Sequence, residues 1–191
     1  MHIFFIHGAN STRISFSYLE EKFNQTDMID LEGIDFTYFE YKAATPIEDI
    51  IDSAVQAVKK TKTKVHIVSH SMGGLIGTAV SQRLPSQVKS VVTMGTPYGG
   101  SKMAAVAALL KPFDTFLQNV HPHNSTLSEI RATGAVVPTL NIITCAGNTM
   151  FELEENDGVV TIDSQKRFTP TEFEEFRVNH FEILQSNRAF E

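Results

Sequence analysis

Strand-like and helix-like segments alternate along this chain, and this alternation constrains the fold more than any other feature. Helix-like segments have apolar residues on one face, and the clearest of them begins at Pro46 and aligns Ile47, Ile50 and Ala54. Strands that alternate with helices form parallel sheets whose two faces are both covered. The pattern therefore predicts an α/β fold, a mostly parallel sheet of about six strands with helices on both faces. The apolar segments predicted as strands cover residues 2–6, 34–41, 65–69, 88–95, 138–147 and 173–178.

Size and composition are those of one globular domain. The chain has 191 residues, of which 42% are hydrophobic and 20% are charged. No repeat, low-complexity segment or linker divides it, so we expect a single domain over residues 1–191. A formal net charge of −6 argues against nucleic acid or an anionic membrane surface as the main partner. The one cysteine, Cys145, excludes an internal disulfide and is expected to be packed among its apolar neighbours.

The segment VHIVSHSMGGL, residues 65–75, contains an abrupt change from strand to helix. A β-branched apolar run gives way to a helical pattern within about three residues around Ser71. A residue at the apex of such a turn tends to have a positive φ, which glycine adopts without strain. A serine at this point indicates that its hydroxyl matters more than the local strain. The alternative is an ordinary serine at the start of a helix, which caps the helix with its hydroxyl.

Five motifs together resemble the α/β-hydrolase family. Residues 69–74, SHSMGG, are similar to its nucleophile elbow, G-x-S-x-G, although Ser69 stands where the first glycine is expected. Tyr98 is the other departure, since relatives often carry histidine there. The resemblance implies a single-domain α/β-hydrolase fold and an acyl ester as substrate. The remaining motifs, in the order of the family, are HGAN at 7–10, GTPYGGS at 95–101, NDGVV at 156–160 and NHFEIL at 179–184.

The chemistry of acyl transfer gives these loops individual roles. A serine hydroxyl is a weak nucleophile, so it needs a base, and the base needs a third group that orients it. The carboxyl ends of parallel strands share one edge of a sheet, and Ser71, Asp157 and His180 follow the third, fifth and sixth predicted strands. We therefore expect a triad of nucleophile, orienting acid and base in the family's chain order. The backbone N–H groups of Ala9 and Met72 are expected to form the oxyanion hole.

Other histidines compete for the role of base. His70 adjoins the nucleophile and is expected to be structural, whereas His7 is expected to brace the oxyanion loop. His121 and His123 flank a proline without a nearby carboxylate, a pattern that favours a surface loop over a metal site. His180 is therefore the preferred base.

Three other carboxylates are alternatives to Asp157: Glu154, Glu155 and Asp163. Most charged residues in loops are simply solvated. Asp157 is preferred because Gly158 and an apolar pair follow it directly.

Residues 101–131 are expected to form a helical insertion, part of which must cover the sheet and the rest of which could cover the active site. Met103, Val106, Ala107 and Leu110 share a helical face, which predicts either core packing or the wall of an acyl-chain pocket. Met103, Val106 and Leu110 are the residues expected to line that pocket. Pro112 is expected to end this helix. The insertion is too short for a full lid, so we expect the site to be reachable from water. In the alternative, Pro112 is the hinge of a movable flap that carries Phe113, Phe116 and Leu117.

These features predict a serine hydrolase of the esterase or lipase type, which cleaves a small-molecule or lipid ester without metal or cofactor. A thioesterase or acyltransferase with the same triad is the nearest alternative, because the fold hosts many acyl-transfer reactions. A non-catalytic binding protein would be expected to have a broken triad. No apolar stretch approaches the roughly 20 residues of a membrane span. The start MHIFFIHG is unlike a signal peptide and favours the cytoplasm, although a mature secreted form could begin in the same way.

Overall fold

A sheet of parallel strands forms the centre of the structure, a computed structural model that describes residues 1–25, 33–147 and 154–190. Within these residues the sheet has six strands in the spatial order β2-β1-β3-β4-β5-β6, and every neighbouring pair is parallel. Each segment that the sequence predicts as a strand contributes one of them. The strands are β1 (His2–Ile6), β2 (Asp35–Phe39), β3 (Val65–His70), β4 (Val88–Met94), β5 (Thr139–Thr144) and β6 (Glu172–Phe176).

Helices occupy the connections between the strands. The described α-helices are α1 (Ser17–Gln25), α2 (Ile47–Lys59), α3 (Met72–Arg83), α4 (Lys102–Leu110), α5 (Thr115–Asn119), α6 (Ser125–Thr133), α7 (Ile162–Gln165) and α8 (Asn187–Phe190). Two short 3₁₀ helices span Arg13–Phe16 and Glu182–Gln185. Among the residues described, no helix combines the length and the apolar character needed to cross a bilayer.

Each face of the sheet has its own apolar core, because side chains alternate along a strand. In β1, Phe4 and Ile6 pack with residues of α2, α3 and α6. Ile3 and Phe5 point to the other face and pack with residues of α1, the second 3₁₀ helix and α8. The predicted α/β class, a parallel sheet with helices on both faces, is confirmed.

The connection between β4 and β5 contains the predicted helical insertion. Helix α4 ends at Leu110, and α5 begins at Thr115. Pro112 lies in the turn between them, where its ring and missing N–H prevent the first helix from continuing. This connection starts at the carboxyl edge of the sheet, the same edge at which the loops after β1, β3 and β5 begin.

Candidate active site

Ser71 occupies the turn between β3 and α3. Its φ is +54° and its ψ is −128°, so it has the positive φ that the sequence pattern predicts. The backbone N–H of Ser71 donates a hydrogen bond to the carbonyl oxygen of Met94, 2.8 Å away, which ties the turn to the end of β4. The Ser71 side chain makes no capping hydrogen bond to α3. Its hydroxyl therefore has no capping role that would account for a serine in this strained conformation.

Glycines allow α3 to approach the loops around Ser71 closely. A Cβ atom on Gly73 would lie 2.4 Å from the carbonyl oxygens of both Ile6 and His7, which are backbone atoms. A Cβ on Gly8 would lie 3.1 Å from the Cβ of Ser71. The loop after β1 and the first turn of α3 are thus in direct backbone contact, and a side chain at Gly73 would separate them.

His180 and Asp157 form a buried hydrogen-bonded pair. His180 Nδ1 donates to Asp157 Oδ2 over 2.7 Å, and the backbone N–H of His180 donates to the carbonyl oxygen of Asp157 over 2.9 Å. Both side chains are almost inaccessible to solvent. A proton held on Nδ1 by the carboxylate leaves Nε2 as the basic nitrogen of the ring.

The carboxylate of Asp157 accepts several further hydrogen bonds. Oδ1 accepts from the backbone N–H groups of Val159 and Val160. Oδ2 accepts from the hydroxyl of Thr144 over 2.5 Å and from the amide of Gln165 over 3.3 Å. Burial alone would raise the pKa of Asp157, but these hydrogen bonds and the His180 ring outweigh it, so the pKa lies below its usual value. The carboxylate is therefore charged and fixed in orientation.

The sequence did not single out Thr144 or Gln165. Gln165 is fully buried, and its side chain also accepts from the backbone N–H of Thr144 and donates to its carbonyl. Thr144 is one polar residue at the end of an apolar strand, and Gln165 lies in a helix of four residues. Neither position gives a sequence signal for a hydrogen bond to Asp157.

The alternative carboxylates lie away from this pair. Asp163 forms an ion pair with Arg167 at 3.0 Å, and Glu154 forms one with Lys102, all four side chains being largely exposed. Glu155 is exposed as well. Of the four candidate acids, Asp157 is the one that contacts His180.

His70 is buried beside His180. Its Nε2 donates to the backbone carbonyl of His180 over 2.7 Å, and the two ring centroids are 4.7 Å apart. Burial, together with the nearby His180 ring, lowers the pKa of His70 to about 3. His70 is therefore neutral at ordinary pH and supports the position of His180 through its backbone.

His121 and His123 lie in a loop after α5, and the backbone N–H of His123 donates to Nδ1 of His121. In the part of the chain that the structure describes, no three His, Cys, Asp or Glu residues come together as metal ligands.

The loop after β1 is held by His7. Nδ1 of His7 donates to the carbonyl oxygen of Gly8 over 2.7 Å, and Nε2 accepts from the backbone N–H of Tyr41. The Tyr41 ring stacks on His7 with centroids 4.6 Å apart, and its hydroxyl donates to the His7 carbonyl. In a trans peptide the C=O and N–H groups point in opposite directions, so fixing the Gly8 carbonyl also fixes the N–H of Ala9.

A cavity of about 580 Å³ brings these groups together. Ser71, His180, Ala9 and Met72 all contribute to its lining. Among the described residues, none accepts a hydrogen bond from the backbone N–H of Ala9 or Met72. The cavity thus collects a hydroxyl, an imidazole and two N–H donors with no intramolecular acceptor, a set that could bind and attack a carbonyl group.

One side of the cavity is formed by the insertion. We call this side the α4–α5 wall, and it consists of Met103, Ala104 and Ala107 from α4, Phe116 and Leu117 from α5, and Val120. All six residues are apolar, as in most small-molecule sites.

Of the three residues predicted for this wall, Met103 lines the cavity, whereas Val106 and Leu110 do not. These two residues are 66% and 87% exposed and lie on the outer side of α4, away from the cavity. Because α4 is apolar on all sides, its sequence does not indicate which side faces the protein. In the structure the alanines face inward, where the helix packs closely.

The family model for the α/β-hydrolase fold matches residues 10–180 of the chain. Curated relatives match over shorter stretches. A protein of Arabidopsis thaliana named "Probable lysophospholipase BODYGUARD 5" is 31% identical over 128 residues, which are 58% of this chain and 28% of that protein. A triacylglycerol lipase of Pseudarthrobacter phenanthrenivorans is 48% identical over 42 residues, which are 22% of this chain and 13% of the lipase. The chain thus matches less than a third of the length of either relative.

Solved structures are similar over nearly the whole chain. The mature form of a Bacillus licheniformis lipase has a TM-score of 0.75 at 18% identity, covering 98% of this chain and 88% of the lipase. A metagenomic carboxyl esterase has a TM-score of 0.74 at 13% identity, covering 94% of this chain and 64% of the esterase. At such low identity these similarities establish the fold alone.

Proposed function

This chain belongs to the α/β-hydrolase fold family, and from that premise we propose that it is a serine hydrolase that cleaves carboxylic esters. The observation that carries the proposal is the buried hydrogen bond from His180 to Asp157, because His180 lines the same cavity as Ser71. A charged carboxylate that holds a neutral imidazole in one tautomer is the arrangement that activates a serine hydroxyl. Relatives named lysophospholipase and triacylglycerol lipase support an ester as substrate.

In the proposed reaction, Ser71 Oγ attacks the ester carbonyl while His180 Nε2 takes its proton. The negative charge that develops on the carbonyl oxygen is stabilised by the N–H groups of Ala9 and Met72. The tetrahedral intermediate collapses to an acyl-enzyme, and His180 gives the proton to the departing alcohol. Water then attacks the acyl-enzyme by the same steps, which releases the carboxylic acid and restores the hydroxyl of Ser71.

The substrate is proposed as a small-molecule or lipid acyl ester. A thioester or an acyl acceptor other than water would use the same groups, so hydrolysis of matched oxygen esters and thioesters separates these alternatives. A cytoplasmic location stays a prediction from the sequence.

Covalent labelling tests the nucleophile. A fluorophosphonate probe is expected to label the folded protein, with the adduct on Ser71 by peptide mass spectrometry, and Ser71→Ala should abolish labelling. Ser11→Ala is the matched control, because Ser11 also lines the cavity and its loss should leave labelling intact. Labelling that persists in Ser71→Ala, or no labelling of the folded wild type, would contradict the proposal and favour a binding protein.

A further inference from the structure

The lining of the cavity is unevenly polar. Asn10, Ser11 and Ser15, from the segment after β1, contribute side-chain polar groups, whereas the six residues of the α4–α5 wall contribute none. Val159 and Phe181 are apolar lining residues from other loops, but they are 47% and 65% exposed and therefore lie at the rim. The α4–α5 wall is an apolar surface that extends from Met103, 45% exposed at the rim, to the buried Val120. Val160 and Leu184 are buried apolar lining residues from other segments.

Hydrogen bonds hold both ends of this wall. The backbone N–H of Ser101, just before α4, donates to the carbonyl oxygen of Val120 over 2.8 Å. Asn119, the last residue of α5, is buried and donates to the carbonyls of Ala43 and Thr45 while accepting from the N–H of Ile47. The space beside the wall is therefore part of the folded structure and does not depend on a movement of the two helices.

Small side chains on α4 create this space. Ala104 is buried against the core, whereas Ala107 is only half-buried and lines the cavity. Helix α5 packs against α4, and its residues Phe116 and Leu117 also line the cavity. A larger side chain at position 107 would project into the cavity, while the same side chain at position 106 would point into solvent.

We propose that the α4–α5 wall binds the acyl chain of the substrate and that Ala107 sets the chain length that fits. This proposal rests on the proposed ester hydrolysis, since it assigns the acyl part of the ester to one side of that site. Each methylene that fits along the wall should raise kcat/KM about fourfold, the ratio that corresponds to about 0.8 kcal/mol of burial.

The test compares Ala107→Phe with Val106→Phe, which places the same side chain on the outer face of α4. Hydrolysis of p-nitrophenyl acetate, butyrate, hexanoate, octanoate and decanoate is measured for both variants and the wild type. Ala107→Phe should lose at least 100-fold in kcat/KM on octanoate and decanoate and less than threefold on acetate. Val106→Phe should keep the wild-type profile. If Ala107→Phe misfolds, Ala107→Val applies the same test with a smaller, graded effect.

A binding measurement separates this proposal from the proposed function. Calorimetry measures the binding of decanoate to Ser71→Ala, a variant in which binding can be followed without hydrolysis. Adding Ala107→Phe to this variant should weaken decanoate binding at least tenfold, whereas adding Val106→Phe should not. If the wild type fails to hydrolyse the esters but decanoate binding discriminates in this way, the hydrolase function is wrong and the acyl site stands. If hydrolysis proceeds but the two phenylalanine variants have the same chain-length profile, the acyl site is wrong and the hydrolase function stands.

Discussion

At the scale of single residues, two buried histidines are in contact but differ in the protons they hold. His180 donates its Nδ1 proton to Asp157, so its Nε2 can accept another proton. His70 donates its Nε2 proton to the backbone carbonyl of His180, and burial keeps its ring neutral. In the proposed reaction the ring of His180 transfers the proton, while the ring of His70 holds the backbone of His180.

Stability at mildly acidic pH should depend on His70. The pKa of His70 is about 3 in the folded protein, below its ordinary value of 6.5. The unfolded chain therefore takes up this proton first, so the stability that neutral His70 contributes is fully present above pH 6.5 and is lost as the pH falls toward 3. By pH 5 the loss should be about 2 kcal/mol in the free energy of unfolding.

Urea unfolding at pH 7 and pH 5 measures this effect. His70→Gln removes the titrating ring. Between pH 7 and pH 5 its free energy of unfolding should therefore fall by about 2 kcal/mol less than that of the wild type. His123→Gln, a change at an exposed histidine, should keep the wild-type pH dependence. Asp157 does not complicate this interval, because its pKa is lowered further below an ordinary value of 3.8. An unchanged pH dependence in His70→Gln would show that His70 does not titrate between the folded and unfolded states.

The carboxylate of Asp157 should matter for rate far more than for substrate binding. Asp157→Asn keeps the shape of the side chain but removes the charge that holds Nδ1 protonated, so kcat should fall about 10⁴-fold with little change in KM. Asp163→Asn is the matched control, since Asp163 is exposed and pairs with Arg167. Steady-state kinetics on one ester compares them. Equal losses in the two variants would argue against a specific role for Asp157.

At the scale of elements, the approach of α3 to β1 determines where the proposed oxyanion donors, the N–H groups of Ala9 and Met72, lie. Gly73 and Gly77 both face the sheet side of α3, but their surroundings differ. A Cβ on Gly73 would meet backbone carbonyls at 2.4 Å, whereas a Cβ on Gly77 would first meet the side-chain methyl of Ile67 at 2.9 Å. This methyl is Cγ2, which is bonded directly to the Cβ of the buried Ile67, so it gives way only through rotation of the Ile67 side chain or a small shift of α3. The backbone at the end of β1 cannot move at all without shifting the loop that carries Ala9.

Alanine at these two glycines should therefore have different effects. Gly73→Ala should lower the free energy of unfolding by about 3 kcal/mol, the upper part of the usual range for overpacking, and should reduce kcat. Gly77→Ala should lose less, about 1 kcal/mol, because the gain of up to about 1 kcal/mol in helix propensity offsets part of a clash with a side chain that can rotate. Urea unfolding and ester hydrolysis measure both variants. Equal losses in stability would mean that α3 can shift away from β1.

At the scale of the whole molecule, the architecture followed from the sequence more fully than the details of the site. Apolar runs gave the six strands, and the shared edge of a parallel sheet brought Asp157 and His180 near each other although 23 positions separate them. Thr144 and Gln165 could not be found in this way, because hydrogen bonds to a carboxylate leave no periodicity in the sequence. The inward face of α4 could not be found either, because a helix that is apolar all round has no preferred side.

The outer face of α4 continues into an exposed apolar surface beside the cavity. We call it the outer patch, and it consists of Val106, Leu109, Leu110 and Phe113, which are 66%, 81%, 87% and 96% exposed. An exposed surface of this kind can adsorb to a lipid aggregate. Adsorption differs from activation, however, because activation at an interface requires that the site be closed in water.

We expect no such activation. The α4–α5 wall is held at both ends by Ser101 and Asn119, and Ser71 is only half-buried, so a dissolved ester can reach this proposed nucleophile without a prior opening step. Initial rates on tributyrin should therefore follow one saturation curve from below its solubility limit to above it. A sharp rise at the limit would contradict this expectation, and it would have one of two causes: adsorption through the outer patch, or movement of the insertion as a flap with Pro112 as the hinge. Leu110→Ser with Phe113→Ser then tells which part of the surface acts, because loss of the rise would assign it to the outer patch, whereas a rise that persists would assign it to Phe116 and Leu117 inside the wall.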